Sequence, residues 1–123
     1  MQLAQVIVFV KDLERMLAFY RDVIGLVPLD HSDGRFVRLD GGGTRIALHR
    51  LPDGVAARVR VEDPPIRRTY TPVKLAFHAD DVDVVRAGME ARGVTCDEVR
   101  RFGAVAFFDV VDPEGNIVQV TTR

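Results

Sequence analysis

The chain contains an internal repeat, and that repeat sharply limits the folds available to it. An apolar run rich in β-branched residues, Val6 to Val10, precedes a helix that opens at Asp12 and stops at Gly25. The same order of features returns with Asp81, 69 residues after Asp12, and with Gly93, 68 residues after Gly25. Each half therefore begins with a strand and a capped helix.

The hairpin after each helix repeats as well. With one constant offset of 72, the residues Phe36, Asp40, Gly43 and Ile46 fall on Phe108, Asp112, Gly115 and Val118. Glycine in both turns, with Pro113 in the second, is typical of tight hairpins. We also expect a strand at Val55 to Val61 in the first half and one at Val94 to Arg100 in the second.

These patterns predict an α+β fold made of two βαβββ repeats. One unit cannot cover the apolar face of its own sheet, so we expect two units to form a curved mixed sheet shaped as a cup. The prediction is one domain over residues 1–123, with repeat one at about 1–62, an exposed linker at about 63–72 and repeat two at about 73–123.

Composition removes several classes of function. The chain has 17 basic and 18 acidic residues, which leaves no cationic field for nucleic acid or for an anionic membrane surface. No apolar stretch approaches the ~20 residues of a membrane helix. The single cysteine, Cys96, cannot form an internal disulfide, and the chain starts without the pattern of a signal peptide. We therefore expect a cytoplasmic protein without nucleic-acid or membrane partners.

Three segments resemble the vicinal oxygen chelate superfamily, which includes glyoxalases, bleomycin-resistance proteins and dioxygenases. They are VFVKDLER at Val8 to Arg15, AFYRDVIGL at Ala18 to Leu26, and DPEGN at Asp112 to Asn116. The resemblance spans nearly the whole chain and implies the glyoxalase/bleomycin-resistance fold. It implies no single function, because members include metal-dependent enzymes and metal-free proteins that sequester drugs.

The resemblance implies that, in the metal-dependent members, four side chains from the two repeats bind one divalent ion. The matching positions here are Gln5, Ala47, Lys74 and Gln119. Two neutral amides, an alanine and an ammonium group offer neither the charge nor the donors that a divalent ion requires. We therefore predict no metal and no other cofactor.

Two histidines could form a shifted metal site. His49 follows Ala47 by two residues and His78 follows Lys74 by four, which places them on the same strand faces. The displacement along the strands argues against convergence on one ion, so we interpret both as polar lining residues. Lys74 and His78 are also the best pair for acid–base chemistry, but no carboxylate is expected beside either.

The predicted lining of the cup is apolar with a few polar groups, which suits an organic ligand. If each hairpin pairs symmetrically about its turn, Phe36 lies opposite Ala47 and Phe108 opposite Gln119. The same phenylalanines could instead be ordinary core residues. The complete set of predicted ligand-binding residues is Gln5, Phe9, Phe36, His49, Lys74, His78, Phe108 and Gln119.

The function that we predict is metal-independent binding or sequestration of a small organic molecule, with an anionic ligand favoured by Lys74. The alternative is a metal-dependent enzyme of this superfamily, a glyoxalase-like lyase, isomerase or dioxygenase, with a rearranged metal site. A structural or regulatory module without a ligand is a third hypothesis. We assign no catalytic residue, and we expect a homodimer because the half-sheets leave open strand edges.

Overall fold

The computed structural model describes residues 1–123 as two compact units, Met1–Glu62 and Asp63–Arg123. The predicted βαβββ repeat is present in both. Each unit contains one four-stranded mixed sheet and one principal helix. The α+β fold class expected from the repeat is therefore confirmed.

The first unit contains five regular elements and a short second helix. They are β1 (Gln5–Val10), α1 (Leu13–Ala18) with a π-helical turn at Phe19–Val23, β2 (Val27–Ser32), β3 (Phe36–Asp40), β4 (Arg45–Arg50) and α2 (Asp53–Ala56). The strand order is β1-β4-β3-β2, with β1 parallel to β4 and the other pairs antiparallel.

The second unit repeats this order. Its elements are β5 (Leu75–His78), α3 (Val82–Ala91), β6 (Arg100–Phe102), β7 (Val105–Val111) and β8 (Ile117–Thr121). The strand order is β5-β8-β7-β6, and again only the first pair is parallel.

The two predicted helix caps are present. The Asp12 carboxylate accepts a hydrogen bond from the backbone N–H of Arg15, and the Asp81 carboxylate accepts from those of Asp83 and Val84. These bonds satisfy N–H groups that the first helical turn leaves without partners. Gly25 follows the first helix with φ of 88° and Gly93 the second with φ of 84°, a conformation that favours glycine.

One face of each sheet forms the core of its unit. In the first unit α1 packs against β4, and Leu13, Met16, Leu39 and Leu48 are buried. In the second unit α3 packs against β7, and its buried residues include Val82, Met89, Phe108, Val110, Val118 and Val120. We call the other side of each sheet its helix-free face.

Residues 63–72, predicted as an exposed linker, are attached to the second unit. The backbone N–H of Arg68 donates to the carbonyl of Gly115 at 2.8 Å. The Arg67 guanidinium donates two hydrogen bonds, of 2.7 and 2.8 Å, to the Asp97 carboxylate. The segment therefore belongs to the same compact unit as the second repeat.

Two strand predictions were wrong. Residues 55–61, expected as a strand, contain the end of α2 and irregular backbone, and the outer strand of the first sheet is β2. Residues 94–100 form only one isolated bridge, Cys96 to Val110, before β6 begins at Arg100. None of the helices is both long enough and apolar enough to cross a membrane.

Candidate ligand-binding faces

The helix-free face of the first sheet combines aromatic and polar side chains. Strand register pairs Ile7 with Ala47, and it places His49 between Phe9 on β1 and Phe36 on β3. The rings of Phe9 and His49 stack with their centroids 5.6 Å apart. Three of the predicted ligand-binding residues, Phe9, Phe36 and His49, thus lie together on one face.

Arg38 adds a cation to this face. It pairs with Ala47 across the β3–β4 ladder, and its guanidinium lies 5.5 Å from the centroid of the Phe36 ring. Its Nε donates a 2.7 Å hydrogen bond to the Asp30 carboxylate. Gln5, at the start of β1, pairs with Arg45 and is half-buried.

The helix-free face of the second sheet is organised around Asp109. The Nζ of Lys74 lies 3.3 and 3.4 Å from the two carboxylate oxygens of Asp109. The side-chain amide of Gln119 donates to the same carboxylate at 3.2 Å. Lys74 and Gln119, predicted as neighbours, are therefore joined through Asp109, and we call these three residues the Lys74 network.

Asp109 was missed in the sequence, where no carboxylate was expected beside Lys74 or His78. That expectation was wrong for both residues, since the Asp80 carboxylate also lies 3.1 Å from Nε2 of His78. Strand alternation alone does not identify Asp109, because its side chain is seen to share a face with Gln119 only once the register is known. Its side chain is only 18% exposed, against 40% for Lys74.

The predicted pairing of the phenylalanines was wrong. Phe36 pairs with His49 and Phe108 with Val120, not with Ala47 and Gln119. Phe36 still shares a face with Ala47, but Phe108 is 1% exposed in the core on the opposite side of the sheet from Gln119. The aromatic residue on the helix-free face is Phe107, which stacks on Phe102 at a centroid distance of 6.0 Å.

The predicted phenylalanine pairing fails because the two hairpin turns differ in length. Asp40 pairs with Arg45 and Val111 with Ile117, so four residues separate β3 from β4 and five separate β7 from β8. The constant offset of 72 holds from β4 to β8, whereas Asp40 corresponds to Val111, 71 residues later. A shift of one residue exchanges the two faces of a strand. Phe36 therefore corresponds to Phe107, and Arg38 corresponds to Asp109.

The four positions that match a metal site do not fit a divalent ion. Ala47 has no donor atom, Gln5 and Gln119 are neutral amides, and the ammonium of Lys74 is paired with Asp109. The structure brings together no group of three histidine, cysteine or acidic side chains with the geometry of metal ligands. His49 and His78 lie on different sheets, and His78 is bonded to Asp80.

Cys96 has the environment of a packing residue. Its side chain is half-buried, and its thiol lies 3.7 Å from the carbonyl oxygen of Val94. Burial, reinforced by the negative charge of Glu90, raises the pKa of the Cys96 thiol above its ordinary value. The neutral thiol is therefore favoured, which argues against a nucleophilic role.

The chain belongs to the Glyoxalase/Bleomycin resistance protein/Dioxygenase superfamily, whose sequence profile matches residues 2–120. The resemblance seen in the sequence is thereby confirmed. No match was found among curated protein sequences.

Solved structures of similar fold carry different descriptions. A lactoylglutathione lyase from Agrobacterium tumefaciens is 26% identical, with a TM-score of 0.73 over 98% of this chain and 92% of that chain. An integron cassette protein from Vibrio cholerae is 26% identical, with a TM-score of 0.70 over 98% and 94%. The antibiotic-binding protein TnmS3 from Streptomyces sp. CB03234 is 23% identical, with a TM-score of 0.69 over 98% and 93%, which shows a shared fold.

Proposed function

We propose that this protein binds or sequesters a small organic molecule without a metal ion, using the helix-free faces of its sheets. The observation that carries the proposal is the Lys74 network. At Lys74 and Gln119, which match metal-ligand positions in related enzymes, this chain has an ammonium group and a side-chain amide that both donate to the Asp109 carboxylate. The positive centre that a metal would supply is here part of the protein.

The composition of both faces supports an organic ligand. Aromatic side chains lie beside hydrogen-bonding groups on each sheet, with the exposed Phe9 next to His49 and the half-buried Phe107 next to Asp109, the partner of Lys74. Apolar walls with a few polar groups are typical of small-molecule sites. TnmS3, described as an antibiotic-binding protein, has the same fold.

A metal-dependent lyase, isomerase or dioxygenase is the second candidate. The similarity to a lactoylglutathione lyase favours it. The two functions differ in metal content, so the protein should be purified without an affinity tag, dialysed, and analysed for zinc, nickel, manganese and iron. We expect substoichiometric metal. Tightly retained, stoichiometric metal would refute binding without a metal.

The ligand side of the proposal is tested by screening a library of small organic acids and carbonyl compounds by ligand-observed NMR. For a hit, Lys74→Met should weaken binding by roughly one to two decades, because a charge-assisted contact is worth ~1.5 to 3 kcal/mol. Lys11→Met makes the same chemical change at an exposed lysine bonded to the carbonyl of Val59, and it should leave affinity unchanged. Equal affinities in the two variants would exclude Lys74 from the site.

We also propose a homodimer in the cytoplasm. Each sheet has two edge strands, β1 and β2 in the first and β5 and β6 in the second, whose outer backbone groups could pair with another chain. Sedimentation of a monomer at micromolar concentration would contradict the dimer. The compartment is suggested by the single cysteine, which has no partner for a disulfide within the chain.

A further inference from the structure

A cavity of about 430 Å³ lies at the end of β4 in the first unit. It is lined by Arg35, His49, Arg50, Leu51, Pro52 and Asp53. None of these residues belongs to the Lys74 network, which is built on the second sheet. The volume lies within the range of small-molecule sites, roughly 300 to 1,000 Å³.

The charged residues around the cavity favour an anion. Arg35 and Arg50 contribute two guanidinium groups, and Asp53 is the only carboxylate in the lining. No hydrogen bond or ion pair involves the side chain of Arg35. A guanidinium without a protein partner is able to offer its N–H donors to a bound oxyanion.

The second arginine is held only weakly by its partner. Arg50 and Asp53 form an ion pair of 3.2 Å, and their side chains are 52% and 93% exposed. An exposed pair of this kind contributes little to stability, so an oxyanion in the cavity can displace the Asp53 carboxylate from Arg50. Two parallel N–H bonds from a guanidinium to an oxyanion are stronger and more directional than this contact.

The backbone fixes the two arginines beside each other. The N–H of Arg50 donates to the carbonyl of Arg35 at 2.7 Å, and the next N–H, that of Leu51, donates to Val10 at 2.8 Å. The start of β3 and the end of β4 are thereby held together where the cavity forms. Because the backbone is already fixed, only side chains need to move when an anion enters, and this lowers the entropic part of the free-energy cost of binding.

The other residues that line the cavity indicate which kind of molecule the anionic group belongs to. Leu51 and Pro52 are apolar, and the ring of His49 is stacked on that of Phe9, which is 60% exposed. This combination provides a flat aromatic surface next to the guanidinium groups. A planar apolar body with one oxyanion matches both parts.

We propose that this cavity binds a small aromatic or similarly planar molecule through its carboxylate or phosphate group, with Arg35 as the principal anion-binding residue and Arg50 as the second. The site shares His49 with the first-sheet face of the proposed function and in that respect rests on it, but it depends on neither Lys74 nor the absence of a metal. An oxyanion is the shared chemistry, and the probes below distinguish its two forms.

The test is calorimetric titration of the full chain with benzoate, phenyl phosphate, inorganic phosphate and benzyl alcohol. Benzoate or phenyl phosphate should bind, and the tighter of the two identifies the preferred oxyanion. Inorganic phosphate should bind more weakly because it lacks the ring, and benzyl alcohol should not bind because it lacks the charge. Benzyl alcohol binding as tightly as benzoate, or no binding of either aromatic anion at millimolar concentration, would overturn the proposal.

Three variants locate the site. Arg35→Gln should weaken the better aromatic anion about tenfold, as expected for loss of one charge-assisted contact. Arg58→Gln removes the same charge from an exposed position outside the cavity and should have no effect. Asp53→Asn should strengthen binding, because it removes the carboxylate that competes for Arg50.

The outcomes separate this site from the Lys74 network. Equal affinity of Arg35→Gln and Arg58→Gln overturns the cavity proposal. Loss of benzoate or phenyl phosphate binding in Lys74→Met, with Arg35→Gln unaffected, also overturns it and leaves the proposed function intact. Loss in Arg35→Gln alone supports the cavity whatever the result of the library screen.

Discussion

The ammonium nitrogen of Lys74 lies nearly equidistant from the two carboxylate oxygens of Asp109, at 3.3 and 3.4 Å. The carboxylate therefore offsets the positive charge that an anionic ligand would contact. Asp109→Asn should increase the affinity for an anionic library hit several-fold, since it removes the competing charge while retaining an oxygen acceptor for Gln119. Calorimetric titration of both proteins with the same hit measures the change.

A double-mutant cycle provides the control for this prediction. In the Lys74→Met background, Asp109→Asn should no longer improve binding by the same factor, because there is no ammonium left to release. An equal improvement in both backgrounds would mean that Asp109 acts on the ligand directly. Stability should change by ~1 kcal/mol or less, as is usual for a partly exposed ion pair.

Truncation tests the assignment of Phe108, and not Phe107, to the core face of the second sheet. Phe108→Ala should lower the free energy of unfolding by ~3 to 5 kcal/mol, because the ring is almost completely buried in the core of the second unit. Phe102→Ala removes an equally large ring that is 68% exposed, and its cost should be much smaller. Urea denaturation of both variants measures the difference. Similar costs for the two would contradict the register described above.

The contact between residues 63–72 and the second hairpin is tested at Gly115. A Cβ on Gly115 would lie 2.2 Å from the carbonyl oxygen of Ile66, so Gly115→Ala should destabilise the protein by more than ~2 kcal/mol. Gly25→Ala is the matched control, because Gly25 has nearly the same positive φ but no atom within 4 Å of its Cβ position. Its cost should be the backbone term alone, ~1 kcal/mol. Thermal unfolding that shows equal losses would exclude the close approach.

Acid should weaken the anchoring of residues 63–72 through Asp97. The hydrogen bonds from Arg67 lower the pKa of the Asp97 carboxyl below its ordinary value. The stabilisation is therefore complete above the unfolded pKa, ~4, and is lost as the pH falls through the lower folded pKa. At neutral pH, Asp97→Asn should cost about 0.5 to 1 kcal/mol after solvent screening, since both side chains are more than one-third exposed.

The pH dependence is measured by urea denaturation near neutral pH and again near pH 2, well below the ordinary range of an aspartate. The difference in free energy between wild type and Asp97→Asn should shrink in acid, because protonation of the unfolded carboxyl removes the stabilisation progressively as the pH falls toward the lowered folded pKa. Arg67→Gln should behave in the same way as Asp97→Asn. A difference that stays constant with pH would show that the pair does not act through its charge.

Features set by local chemistry were predictable from the sequence. Asp12 and Asp81 cap helices because a short carboxylate before an apolar helical pattern satisfies the first N–H groups, and this depends on nearby residues alone. The repeat gave the fold class for a similar reason, since both halves contain the same local signals in the same order.

Features set by strand register were not predictable. Symmetric pairing about each turn places Phe108 on the wrong face, because it treats the two turns as equal in length. The same treatment points the side chain of Asp109 toward the core, so the pattern does not identify it as a site residue. Strand β2 contains Pro28 and has a register shift beside it, so it lacks the alternation that identifies a strand, and the pattern favours residues 55–61 instead.

The extra residue in the second turn shows how two structural repeats can differ in sequence length and keep one architecture. The extra residue is accommodated within the turn itself, because Val37 and Leu39 of the first sheet correspond to Phe108 and Val110 of the second, and all four are buried. Both repeats therefore keep the same division of the strand between interior and surface. The corresponding surface positions hold a guanidinium, Arg38, in one sheet and a carboxylate, Asp109, in the other. A repeated scaffold can thus present two chemically unlike surfaces while the pattern of its core stays the same.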